Sequence, residues 1–233
     1  MTFSFDFTRE AFPQILSYLP TTLAVAAVAE MIALLLGLAL AALKRRRVPV
    51  LSWALAVFQS YCRAVPTLVQ LFVAMFLFPK LVSLINPNDP FGTSVPSIVY
   101  AVITLGLNQG SFCAEVFGSA LDAVDAGQTE AALSVGMSRL QSLTRIVVPQ
   151  AAAVAIPNLT SLFLGLIQET SLVAMVGVRE ITSVGINLAD LGYYFLETYV
   201  MLTVLYEVCS FVFGKLLRVL ERSVSKFKYQ AVR

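Results

Sequence analysis

The chain has 233 residues, 58% hydrophobic and 13% charged, with a net charge of +2. Soluble domains are about 45–50% apolar and about 25% charged, so a chain with a mean hydropathy of +0.81 lacks the polar side chains to cover a globule and belongs in a bilayer. This excludes a secreted disulfide scaffold, a disordered regulator and a DNA-binding module, because so small a net charge builds no phosphate-binding field. Histidine is absent, which removes His-based triads, zincin motifs and histidine proton shuttles. Cys62, Cys113 and Cys209 are too far apart for a CxxC clip and read as free thiols in apolar segments. No catalytic residue and no metal site is expected.

Charge-free runs of about 20 residues mark membrane spans. The first is expected over about 18–43, where one charge, Glu30, precedes the basic run Lys44–Arg47. Residues 48–78 are too many for one span, so an interfacial stretch (about 50–62, with Trp53 as an anchor) leads into a second span at about 64–83, with Pro66 in its first turn. Residues 86–92, rich in Asn, Asp, Pro and Gly, read as an external loop. The third span is expected at about 97–120, the fourth at about 154–177 and the fifth at about 198–217, with a polar loop at about 121–150. A basic tail follows.

Five spans put the termini on opposite sides. Thirteen basic residues fall on one side (Lys44–Arg47, Arg63, Arg139, Arg145 and the six from Lys215 onward), against Arg9, Lys80 and Arg179 on the other. By the positive-inside rule the N-terminus is outside and the loop 121–150 is cytoplasmic. No cleavable signal peptide is expected, since the first span is too long for an h-region. A single membrane domain over 1–233 accounts for the sequence.

The polar loop holds Gly127, Gln128, Glu130, Ala131, Ala132 and Gly136 on a short predicted helix. Glu130 suits the positive end of its dipole. The small residues permit close approach of another backbone, and Leu133, Met137 and Leu140 give an apolar edge. Such a helix suits docking in a groove of a soluble partner, although periodicity alone equally fits an amphipathic connector.

Glu130-Ala131-Ala132, three residues, Gly136, nine residues, then Ile146-Val147-Val148-Pro149 resembles the EAA loop of ABC importer permeases, E-A-A-x3-G-x9-I-x-L-P, with Val148 for Leu. Arg63-Ala-Val-Pro66-Thr-Leu-Val-Gln70-Leu-Phe and Glu169-Thr170-Ser171-Leu172 are similar to further motifs of the polar amino acid branch (histidine, glutamine, arginine and cystine permeases). The resemblance spans roughly residues 18–220. It implies an all-α membrane protein with the type I (MetI-like) permease fold, five transmembrane helices and a cytoplasmic coupling helix. It also implies a multi-pass location in the cytoplasmic (inner) membrane of a prokaryote.

The partners implied are a dimer of ATP-binding subunits, a second permease subunit (homo- or heteromeric) and an extracytoplasmic solute-binding protein, besides membrane lipid. Nucleic acid is not among them. The chain needs no cofactor of its own and is no enzyme, because the partner ATPase binds ATP and magnesium. Gly127, Gln128, Glu130, Ala131, Ala132, Gly136, Ile146 and Pro149 would be ATPase-coupling residues. The departures are Glu115-Val-Phe-Gly118-Ser119, where the branch often has E-x-x-R-G, Ala64 after Arg63, and Gln168 for the Lys of K-D-T-S-L. They bear on the substrate.

Ionisable groups inside a membrane are functional candidates. A carboxylate such as Glu169 or Glu115 suits the ammonium of an amino acid, and amides such as Asn108 and Gln168 suit its carboxylate. With Gln70, Gln109, Thr170 and Ser171 they form the candidate substrate pathway. The competing role for each is an interhelical hydrogen bond, and Glu30 and Glu207 fit packing better. Arg63 fits two roles equally, a pair with an acid of the loop such as Asp122 or Asp125, or a topology determinant under the positive-inside rule. The function that follows is the membrane subunit of an ATP-driven importer of a polar amino acid or a derivative such as cystine. The alternative is an ion-coupled secondary amino acid carrier, which leaves the loop unexplained and usually shows internal repeats.

Overall fold

The computed structural model describes residues 3–46, 48–86, 88–89 and 94–230, with side chains to residue 224. Arg47 of the basic run, residues 87 and 90–92 of the expected external loop and the end of the basic tail lie outside the described residues. Every regular element described is helical. The helices are α1 (Phe5–Leu16), α2 (Leu19–Arg45), α3 (Pro49–Ala64), α4 (Thr67–Ile85), α5 (Ser97–Asp122) and α6 (Ala126–Ser134). They continue with α7 (Arg139–Ser142), α8 (Val148–Glu169), α9 (Ile181–Asp190) and α10 (Phe195–Gln230).

Among the described residues, five helical stretches are long and apolar enough to cross a membrane: Leu19–Arg45, Thr67–Ile85, Ser97–Asp122, Arg139–Val176 and Phe195–Val224. The fourth begins well before the expected residue 154. There α7, a π-helical turn (Leu143–Val147), α8 and a 3-10 segment (Thr170–Val176) run on without a break. Pro149 explains the π turn. Its ring has no N–H and crowds the carbonyl four residues back, so the ladder widens and Val148 N bonds to Leu143 O. The fifth helix is also longer than expected, because the helical run does not stop where the apolar run does.

Alternation of the spans gathers the end of α2, α3, α6, α7 and the later turns of α10 on one face, the basic one. The end of α4, the start of α5 and α9 lie on the opposite face. There α1, which the charge pattern did not reveal, buries Ala11 and Ile15 against Ile181, Val184 and Leu202 of α9 and α10. Ser4 caps it, with its hydroxyl accepting from Phe7 N.

The centre of the fold is the α2–α5 pair. Lipid tails are as apolar as leucine, so helices associate in membranes by close packing rather than by the hydrophobic effect. Gly37 shows how close: a Cβ there would sit 2.6 Å from Cys113 Cβ and 3.0 Å from Ala114 N. Val25, Ala29, Leu71, Ala101, Leu105, Leu166 and Val173 pack a buried core around this pair. Gly37→Ala is expected to cost about 1–3 kcal/mol by overpacking, read as an earlier thermal midpoint of the detergent-solubilised protein. An unchanged midpoint would mean that α2 and α5 separate freely. The three cysteines are buried and unpaired, as expected.

Candidate functional site

The polar loop folds as α6, a turn and α7. Asp125 starts α6, its Oδ1 accepting from Gly127 N at 2.8 Å. The helix stops at Gly136, whose φ is +85°. Met137 N donates to Ala132 O at 3.1 Å and Gly136 N to Leu133 O at 3.0 Å, the paired bonds of a Schellman motif. Ser138 then caps α7 in a reciprocal capping box with Gln141. Ala132 is buried where α6 packs on the π turn, while Glu130 and Ala131 face outward and Gln128 and Ile146 are half-buried.

Nothing lies within 4 Å of a Cβ placed on Gly136, so within this chain the glycine serves the left-handed turn and its surface is open. Of the expected apolar edge, Leu133 and Leu140 are exposed and Met137 is half-buried, and Val135, 78% exposed, joins them.

The motif Arg63 to Gln70 has a local reason. Val65 is forced into extended backbone (φ −98°, ψ 127°) by Pro66, and α3 ends with unpaired carbonyls. Gln70 Nε2 caps two of them, Cys62 O at 3.2 Å and Val65 O at 2.8 Å. Asn108 Nδ2 donates to Cys62 O and to Gln70 Oε1, both at 3.1 Å. Gln70 and Asn108 are buried and spend these donors bracing the α3–α4 break against α5.

Arg63 does not reach the loop. It pairs with Glu115 of α5 at 2.5 Å, the two side chains 45% and 49% exposed. Glu115 lies seven residues before Asp122, about 10 Å up α5, which is the level where α3 ends. Asp122 instead meets Arg45 at 2.6 Å, and Asp125 is the cap of α6.

Gln109 is buried beside Glu30 and donates to Leu162 O at 2.7 Å, tying α5 to α8. Thr170 is fully buried and returns its hydroxyl to Ile167 O at 2.6 Å. Gln168 is exposed, and Glu169 and Ser171 are half-buried, at the point where α8 tightens into the 3-10 segment. Glu207 is exposed.

A polar centre that the sequence did not mark lies around Glu180, which is fully buried. Its carboxylate accepts from Ser183 N at 2.8 Å, Tyr206 Oη at 3.2 Å and Thr22 Oγ1 at 3.3 Å. Thr182 Oγ1 lies 2.9 Å from Tyr206 Oη, and Thr22 Oγ1 accepts from Ile181 N. Burial, the largest influence, raises the Glu180 carboxyl above the usual range, and the donors pull it part of the way back. The group ties α2 and α10 to α9 through its N-cap. The available signal was an acid three residues ahead of Ser183, a capping spacing; the partners on α2 and α10 are far away in sequence.

Among known proteins, the chain is similar to "Probable amino-acid permease protein YxeN" of Bacillus subtilis (strain 168), with 37% identity over 97% of each chain. It is 32% identical to "L-cystine transport system permease protein TcyL" of the same organism, over 96% of this chain and 92% of that one. The structure matches that of an amino acid ABC transporter solved with histidines at a TM-score of 0.80, with 28% identity over 96% of this chain and all of the other. The fold also matches the inward-facing MetNI methionine ABC transporter at a TM-score of 0.70 and 19% identity, over 90% of this chain and 95% of that one. Residues 33–226 fit the model of the binding-protein-dependent transport system inner membrane component, and the chain belongs to that family of multi-pass membrane permeases.

Proposed function

We propose that this chain is the membrane subunit of an ATP-driven importer in the inner membrane of a prokaryote. It passes a polar amino acid, or a derivative such as cystine, from an external solute-binding protein to the cytoplasm. The observation that carries the reading is the α6 turn at the basic face. There a short exposed helix, held at one end by Asp125 and at the other by Gly136, presents Glu130, Leu133 and Val135 outward. An ATPase groove that takes this helix would move α8 directly, through the unbroken run from Arg139 to Val176. Gly127, Gln128, Ala131, Ala132, Ile146 and Pro149 shape this arm. ATP and magnesium belong to the partner, so the chain itself carries no cofactor, and a second permease subunit completes the pathway. The self-contained ion-coupled carrier falls away with membership of a binding-protein-dependent family.

Gln168, Glu169 and Ser171 are the accessible polar groups toward the outer half of the path, and the Arg63–Glu115 pair lies near its basic end. Gln70, Asn108, Gln109 and Thr170 hold the helices around them. Glu169→Gln is expected to reduce uptake at least about tenfold while the complex still assembles, since a lost charge-assisted bond of about 1.5–3 kcal/mol corresponds to that factor or more. Uptake equal to wild type would place Glu169 among the packing residues. The whole reading is tested by ATP turnover of the reconstituted complex with its binding protein and a panel of amino acids. Stimulation by one ligand is expected; flat turnover in an assembled complex would remove the amino acid assignment.

A further inference from the structure

Beyond transport, one surface of the fold has the chemistry of a lipid site. At the basic face α2, α5 and α8 enclose a groove of about 500 Å³, within the range of small-molecule sites, about 300–1,000 Å³. Six of its lining residues are alanines, contributed by all three helices, as at Ala42, Ala120 and Ala152. Every lining residue except Arg45 is apolar. Arg45 stands at the end of α2, between the exposed Lys44 and Arg46. The exposed Arg145 sits in the π turn between Leu143 and Val147, both of which line the groove. Arg45 has five N–H donors, and its ion pair with Asp122 involves one nitrogen.

Along α8 the groove extends from Val148 to Leu159, eleven residues or about 16 Å. One leaflet of a hydrocarbon core of about 30 Å is about 15 Å deep. The site is therefore apolar for the depth of one leaflet and positive at its mouth, where headgroups lie. We propose that this groove binds one acyl chain of an anionic phospholipid from the leaflet at the basic face, its phosphate held by Lys44, Arg45 and Arg46. Basic residues at a membrane surface contribute about 1 kcal/mol each toward anionic lipid. Against a zwitterionic lipid with the same chains, two such residues give roughly thirtyfold preference.

The test uses the intact transporter complex in nanodiscs of phosphatidylglycerol and phosphatidylcholine with identical acyl chains, followed by native mass spectrometry. Phosphatidylglycerol is expected to remain bound in at least tenfold excess. Lys44→Gln with Arg46→Gln should cut the phosphatidylglycerol excess at least about tenfold, and Ala152→Trp should expel both lipids. Equal retention of the two headgroups by the wild type, which needs no variant to fold, would overturn the proposal. So would unchanged retention in an assembled Ala152→Trp complex. A disulfide between two copies of an Ala152→Cys chain would also overturn it, by giving the groove to a second permease subunit.

Discussion

Replacing Glu180 by alanine is expected to lower the unfolding free energy by about 2–4 kcal/mol, the sum of the buried donors it would strand. The loss comes from what stays behind. Ser183 N, Tyr206 Oη and Thr22 Oγ1 all donate to this carboxylate, and a buried donor left unsatisfied costs about 1–3 kcal/mol. Glu180→Gln keeps an acceptor for Ser183 N and offers an amide to the two hydroxyls, which accept as well as donate. Its cost is expected near 1 kcal/mol. Thermal midpoints in detergent separate the two substitutions, and an alanine variant as stable as wild type would remove the network from the account of the fold.

The same group predicts a pH dependence. Burial raises its folded-state value above that of an unfolded glutamate, near 4.3. The folded chain thus holds the proton more tightly than the unfolded chain does. The stability gained this way is complete below the unfolded value and is lost as pH rises through the folded one. Wild type should therefore lose ground to Glu180→Gln as pH rises through that window, and midpoint curves that run parallel across it would contradict the assignment.

Gly136→Val is expected to uncouple the complex while leaving the chain inserted. A left-handed φ of +85° costs a residue with a Cβ about 1–2 kcal/mol, and more for a β-branched one. That is a factor of roughly 5–30 in the population of the turn. Without the turn, α6 ends elsewhere and Glu130 and Leu133 point in a new direction. Ligand-stimulated ATP turnover should fall by about that factor. Gly136→Asn, which tolerates the left-handed region, should retain most of it. If valine and asparagine behave alike, the conformation of the turn is irrelevant to coupling.

The spans were legible because membrane burial is written in consecutive residues. The short helix of the polar loop was legible too, but its caps, Asp125, Gly136 and Ser138, were not, although they are local chemistry. The helix of the fourth span starts ahead of the expected span because Pro149 leaves a continuous helix wider instead of ending it. Gln70 and Asn108 were read as pathway groups because a polar side chain in an apolar run looks the same whether it faces a channel or a carbonyl. Their role depends on the break at Val65 and on which face of α5 meets it. Glu180 was harder still, since its partner Thr22 is 158 residues away. Of the two roles open to Arg63, the loop pairing gave way to Glu115 because charge pairing follows height in the membrane, which α3 sets and the order of residues does not.

The π turn at Leu143–Val147 has a geometric consequence for the arm above it. Each residue of an α-helix advances the azimuth by about 100°, so one surplus residue in a turn rotates everything upstream by about that angle relative to α8. The bearing of α6 is in this sense a phase offset created by Pro149. A one-residue deletion in this turn would swing the arm around the span like a misset clock hand, with every side chain of α6 unchanged.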